Sequence, residues 1–79
     1  MLRTLTTDEI AERREWTAFT TEDPDELWTL ARDEAVTVVR RLALNAICPD
    51  ALLTLLTHHP DELVRRNVRI QQSCRAARG

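Results

Sequence analysis

The sequence predicts an all-α fold built from about two and a half helical hairpins. Apolar residues recur at helical spacing, as in Val36, Val39 and Leu42. Residues 24–48 also resemble residues 49–73, with eight identities in twenty-five aligned positions. A repeated helical segment of this length is typical of stacked helical units.

Size and composition predict one small domain. A chain of 79 residues with 43% hydrophobic content builds a single core, which at this size supplies about 3–5 kcal/mol without added support. Charged residues interrupt every apolar run before it reaches the roughly 18 residues of a membrane span. Two cysteines and the lack of a signal-like segment after Met1 predict a cytoplasmic protein.

Residues 1–22 are predicted to form an amino-terminal capping helix. Thr6 and Glu9 have the spacing of a capping box, and the helix should cover residues 7–19. This part resembles half of a repeat unit. Its large apolar residues are expected to cover the open apolar end of the first full unit, as terminal units of repeat proteins do; they are Ile10, Trp16 and Phe19.

The first repeat unit spans residues 24–48. Asp23 before Pro24 predicts a capped helix start with proline at the first helical position. A short helix containing Leu27, Trp28 and Leu30 should follow. Asp33 is predicted to cap a second helix, which Pro49 ends.

The second unit spans residues 49–74 and repeats this plan. A leucine-rich short helix follows Pro49, and His59 with Pro60 is predicted to open a longer helix. Residues 75–79 are expected to fray, because they are small and polar.

Three motifs carry a resemblance to a known family. Leu-x-x-Leu-Ala-x-Asp at 27–33, Val-Arg-Arg at 39–41 and Pro-Asp-x-Leu at 49–52 resemble the variant leucine-rich repeat, a bacterial family similar to HEAT repeats. The resemblance covers about fifty residues and implies a short right-handed α-α superhelix, a solenoid-like stack of helical pairs. Typical members have many repeats of about 24 residues. Some members bind an iron–sulfur cluster through amino-terminal cysteines, but no cysteine precedes Cys48, so no cofactor is implied.

The Val-Arg-Arg motif occurs twice, at 39–41 and at 64–66, and its first arginine has a structural interpretation. HEAT-like packing implies that Arg40 and Arg65 bond to capping aspartates and hold neighbouring units in register. The candidate acceptors are Asp33, Asp50 and Asp61.

The second arginine of each motif has a functional interpretation. With two further arginines it is predicted to form an exposed stripe that contacts a partner; the members are Arg41, Arg66, Arg69 and Arg14. Glu62 lies four residues before Arg66 and can neutralise it, whereas Thr37 at the same distance before Arg41 cannot. Surface ion pairs contribute little to stability, so Arg41 is as well explained by a partner as by the fold.

The residues with chemically reactive side chains do not form a recognisable site. Cys48, His58, His59 and Cys74 lack the spacing of a structural zinc site, and Cys48 is interpreted as a small buried apolar residue. The single serine, Ser73, has no histidine nearby in the repeat register, and the single glycine excludes a phosphate-binding loop. The sequence therefore predicts no catalytic residue, metal or cofactor.

Two functions follow from these observations. The favoured one is a non-enzymatic protein–protein interaction module that presents a rigid helical surface, with Trp28 as an aromatic anchor, to a protein partner or its own copy. A homodimer is expected, because three or more repeats are usually needed to bury a continuous core. The alternative is a nucleic-acid-binding module, which the net charge of −2 disfavours. Its phosphate contacts would be Arg13, Arg14, Arg40, Arg41, Arg65, Arg66 and Arg69.

Overall fold

The computed structural model describes residues 7–78, with side chains from Ile10 onward, and this part of the chain is all-α. The predicted fold class is therefore confirmed. The five helices are α1 (Thr7–Thr20), α2 (Pro24–Leu30), α3 (Val36–Leu42), α4 (Asp50–Leu56) and α5 (Glu62–Arg78).

The main packing joins alternate helices of the chain. α1 packs against α3, α3 packs against α5, α2 contacts both α1 and α3, and α4 packs against α5. Each of the five helices contributes to one hydrophobic core. Its buried members are Ala18, Leu27, Leu30, Val38, Val39, Leu42, Ala43, Cys48, Leu52, Leu53, Leu56, Val64 and Val68.

The two short helices begin at corresponding places in the sequence repeat. Asp23 is the N-cap of α2, its carboxylate accepts the Asp25 N–H at 3.0 Å, and Pro24 is the first helical residue, as predicted. α4 begins directly after Pro49, which occupies the N-cap position without a side-chain cap. The repeat seen in the sequence thus corresponds to a repeat of helix starts.

α3 is much shorter than the sequence predicts. It ends at Leu42, seven residues before Pro49. The backbone N–H of Asn45 donates to the Leu42 carbonyl, while its buried side-chain amide donates to the carbonyls of Ala18 and Thr21, both at 2.9 Å. The expectation that Pro49 ends this helix was wrong, because a long-range side-chain bond to α1 replaces further helical turns.

The caps of α3 and α5 also differ from the prediction. Asp33 accepts the Ala35 N–H at 2.9 Å in the turn before α3, which starts only at Val36. α5 is capped by Asp61, whose carboxylate accepts the Val64 N–H at 2.9 Å. His59 lies two residues before Asp61, and its Nδ1 atom accepts the Asp61 N–H at 3.0 Å. A carboxylate is the better cap, because it carries the negative charge that a helix amino terminus favours.

Both ends of the described chain correct the sequence interpretation. The segment expected to fray is helical as far as Arg78, because Arg75 donates to the Asp50 carboxylate at 2.6 Å and to the Ala46 carbonyl at 3.1 Å. The predicted capping box of Thr6 and Glu9 lies outside the described side chains.

At the amino-terminal end, α1 buries only a small apolar residue in the core. Its three large apolar residues were expected to cover the end of the first unit, yet Ile10, Trp16 and Phe19 are all exposed, Trp16 by 69%. α1 instead buries Ala18, which lies about 200° around the helix from Trp16. The expected covering role is therefore wrong.

Candidate interaction surfaces

Two bidentate ion pairs link a helix to the start of the helix packed beside it. Arg14 of α1 donates from Nε to Asp33 Oδ2 at 2.7 Å and from Nη2 to Oδ1 at 3.3 Å. Arg40 of α3 uses the same two nitrogens, at 3.0 and 2.9 Å, to bind the Asp61 carboxylate that caps α5. The predicted bond between Arg40 and Asp61 is confirmed, and Arg14 makes an equivalent bond.

The ion pairs lower the pKa of both carboxyl groups. Hydrogen bonding from Arg40 lowers the pKa of Asp61 to about 2, although partial burial acts in the opposite direction. Burial is the largest influence on the pKa of Asp33 and would raise it, but hydrogen bonds from Arg14 and the Ala35 N–H together hold it below its usual value. Both aspartates are therefore ionised at neutral pH and serve as fixed anionic partners.

Arg65 does not make the predicted bond to an aspartate. Its Nη1 donates to the His59 carbonyl at 2.7 Å, and the aspartates proposed as acceptors bind other arginines. Arg65 occupies the repeat position of Arg40, so the repeat is broken at its carboxyl-terminal end. The expectation that Arg65 repeats the Arg40 contact is corrected accordingly.

The predicted partner-binding arginines lie in different surroundings. Arg41, Arg66 and Arg69 are exposed and make no ion pair with another described residue. Arg14 is engaged by Asp33, with 37% of its side chain still exposed, and its contact with a partner stays a prediction.

Arg41 lies at a groove that crosses α1, α3 and α5. The groove encloses about 290 Å³ and is also lined by Glu15, Thr37, Arg40, Leu44 and Asn67. Arg66 and Arg69 do not line it. The structure therefore places acidic Glu15 and the paired Arg40 in the groove with Arg41, and not the other two arginines of the predicted stripe.

Trp28 lies in a second groove, at the ends of the two short helices. The groove encloses about 280 Å³, and its other lining residues are Ala31, Arg32, Leu55, Leu56, His58 and His59. Trp28 is 39% exposed and Leu55 is 57% exposed. This Trp28 groove combines apolar side chains with Arg32 and two histidines, and no acidic residue from the described part of the chain lines it.

The sequence analysis missed a third surface on α1. Trp16 and Phe19 form a shallow depression of about 170 Å³ together with Glu12, Glu15 and Arg41. The signal was present, since Glu12, Trp16 and Phe19 recur at helical spacing on a face that also carries charge. These aromatic residues were instead expected to cover the apolar end of the first repeat unit, as terminal units of repeat proteins do.

The cysteines and histidines are dispersed. Cys48 is buried, and burial raises the pKa of its thiol to about 11, while Cys74 is an exposed free thiol on α5. Within residues 7–78, no three histidine, cysteine, aspartate or glutamate side chains are grouped so that they could hold a metal ion.

Comparison with other proteins gives no relative. No protein-family model matches this chain, no curated protein matches it, and no solved structure matches it. Among the helices from Thr7 to Arg78, none has the length and apolar character needed to cross a membrane.

Proposed function

We propose that this protein is a small, non-enzymatic helical-repeat module that binds a protein partner through the Trp28 groove. The supporting observation is the half-exposed Trp28 beside the exposed Leu55, two large apolar side chains that stay accessible although the core is nearby. Tryptophan and arginine are enriched among residues that dominate binding energy at protein interfaces, and Arg32 lines the same groove. The resemblance to variant leucine-rich repeats supports the same function, with the helices arranged as a short right-handed superhelix.

The exposed arginines form the second part of the proposal. Arg41 contacts the partner or a neighbouring molecule at the groove between α1 and α5, since within residues 7–78 it makes no ion pair that holds it to the fold. Arg66 and Arg69 extend the basic surface along α5. Both cysteines are free thiols, a state that the reducing cytoplasm maintains, so we place the protein there.

Self-association and nucleic-acid binding are the competing functions. A homodimer would cover exposed apolar residues such as Trp16 and Leu55, and light scattering over a dilution series tests it through the molar mass. Nucleic-acid binding is disfavoured, because Arg14 and Arg40 already neutralise aspartates. Binding of oligonucleotides that weakens steeply with added salt would instead support that function.

The test of the Trp28 groove uses two matched tryptophan variants. Trp28→Ala is expected to abolish capture of the partner from a lysate of the native host, whereas Trp16→Ala should leave capture unchanged because Trp16 does not line this groove. Arg41→Glu measures the contribution of the basic surface in the same assay. Equal capture by the Trp28→Ala variant and the unaltered protein would refute the proposed site.

A further inference from the structure

The two internal ion pairs provide a template for what Arg65 can bind. Arg14 and Arg40 both present the Nε–Nη2 edge of the guanidinium to an aspartate. In both pairs a nearby backbone N–H fixes the carboxylate: Ala35 N–H for Asp33 and Val64 N–H for Asp61. The two N–H groups of this edge form a planar fork that matches the two oxygens of a carboxylate, and the backbone N–H holds that carboxylate in place.

Arg65 has the same edge available. The repeat offset of 25 residues places Arg65 where Arg40 lies in the preceding unit. Its Nη1 is held by the His59 carbonyl at 2.7 Å, and within residues 7–78 no acceptor binds its Nε or Nη2. Since the side chain is also half-buried, the guanidinium is held in one region of the surface rather than sampling the solvent freely.

The Arg65 guanidinium is connected to the Trp28 groove through one residue. The carbonyl of His59 accepts the bond from Arg65, and His59 lines the groove together with Leu55 and Trp28. None of the described residues that line the groove is acidic, so the charge of this lining complements an anionic partner. The Arg65 guanidinium is thus bound to the backbone of a residue that lines the apolar groove.

We propose that Arg65 binds the capping carboxylate of a helix in a partner protein, while the apolar face of that helix packs against Leu55 and Trp28. The partner would supply to Arg65 what α5 supplies to Arg40. This is a helix with an aspartate at its N-cap, and the same aspartate accepts a backbone N–H from the first turn of that helix. This inference rests on the proposed function of the Trp28 groove and names the chemistry of its partner.

The test uses a probe taken from the chain itself. A peptide of residues 49–78 carries the Asp61-capped helix that binds Arg40 within the intact protein. The full-length protein, labelled with ¹⁵N, is titrated with this peptide while NMR follows the Arg65 Nε–H and the Trp28 indole N–H. The peptide carries its own Arg65 but is unlabelled, and both signals therefore report on the protein alone. A second peptide with Asp61→Asn is the matched control.

The expected result is a shift of both signals, with binding of the Asp61→Asn peptide weaker by about tenfold or more, as for loss of a charge-assisted hydrogen bond. Arg65→Gln in the protein should weaken binding of the original peptide by a similar factor. Arg78→Gln is the control on the same helix and should change binding by less than about twofold, as expected for an exposed charge.

Two results would overturn the inference, and they separate it from the proposed function. If Trp28 responds but both peptides bind equally and the Arg65 signal stays in place, the groove binds helices without the carboxylate contact. If neither signal responds, Arg65 does not recognise a capped helix, and the lysate experiment with Trp28→Ala alone decides the role of the groove. Comparing the two peptides needs no substitution in the protein, so this arm does not depend on a variant that folds.

Discussion

Replacing Leu30 by alanine should destabilise the protein several times more than replacing Leu55, although the two leucines occupy matched positions in the sequence repeat. Leu30 is 8% exposed and belongs to the core, whereas Leu55 is 57% exposed at the Trp28 groove. Leucine and alanine have similar helix propensities, so the difference reports mainly on burial.

The burial of each side chain sets the size of the effect. Truncating a buried leucine costs about 2–5 kcal/mol, which includes the cavity left behind, and about 3 kcal/mol is expected for Leu30. Leu55 has less than half of its surface covered and solvent can fill the space, which gives about 0.5–1 kcal/mol. Against the roughly 3–5 kcal/mol available to a domain of this size, Leu30→Ala should leave the fold marginal.

Urea unfolding followed by circular dichroism measures both variants under the same conditions. The Leu55→Ala midpoint should stay close to that of the unaltered protein, and the Leu30→Ala midpoint should fall sharply. Equal losses in the two variants would mean that the repeat units are packed alike at both positions. The burial difference described above would then be refuted.

Two further predictions concern long-range polar contacts. Asn45→Ala should cost about 1–3 kcal/mol in urea unfolding, because it leaves two carbonyls at the end of α1 without their donor; a loss below about 0.5 kcal/mol would contradict this role. Because the pKa of Asp61 is lowered to about 2 by Arg40, its contribution to stability is fully present above about pH 4 and is lost as the pH falls towards 2. Asp61→Asn should remove this part of the acid dependence. Urea midpoints of both proteins at about pH 5 and about pH 2.5 test this, and an unchanged pH dependence would contradict the assignment.

Local signals in the sequence were enough to predict several features. The helical periodicity of the apolar residues predicted the all-α class, and Asp23 with Pro24 predicted the start of α2. The repeat placed Leu27 and Leu52 at equivalent positions, and both are fully buried. These features depend on interactions within a turn or two of helix, so the order of residues encodes them directly.

The candidate surfaces were predicted less completely. Trp28 was singled out from its position on the short helix, and its partial exposure fits an accessible anchor. Trp16 was expected to cover the apolar end of the first repeat unit. The charge on its face of α1 was a signal of exposure, but the side of α1 that is covered is set by its packing against α3.

Residue order alone encodes where helices can form and which residues can be apolar, capping or charged. Contacts between helices select which of these possibilities are realised. Arg40 binds Asp61 across 21 residues, and Asn45 joins the chain after α3 to the carbonyl of Ala18 in α1. Arg65 makes no equivalent bond to a described aspartate, although its sequence motif matches that of Arg40. The physical reason is that local hydrogen bonds and periodicity act within one helix, whereas partner choice and exposure arise only when separate helices are brought into contact.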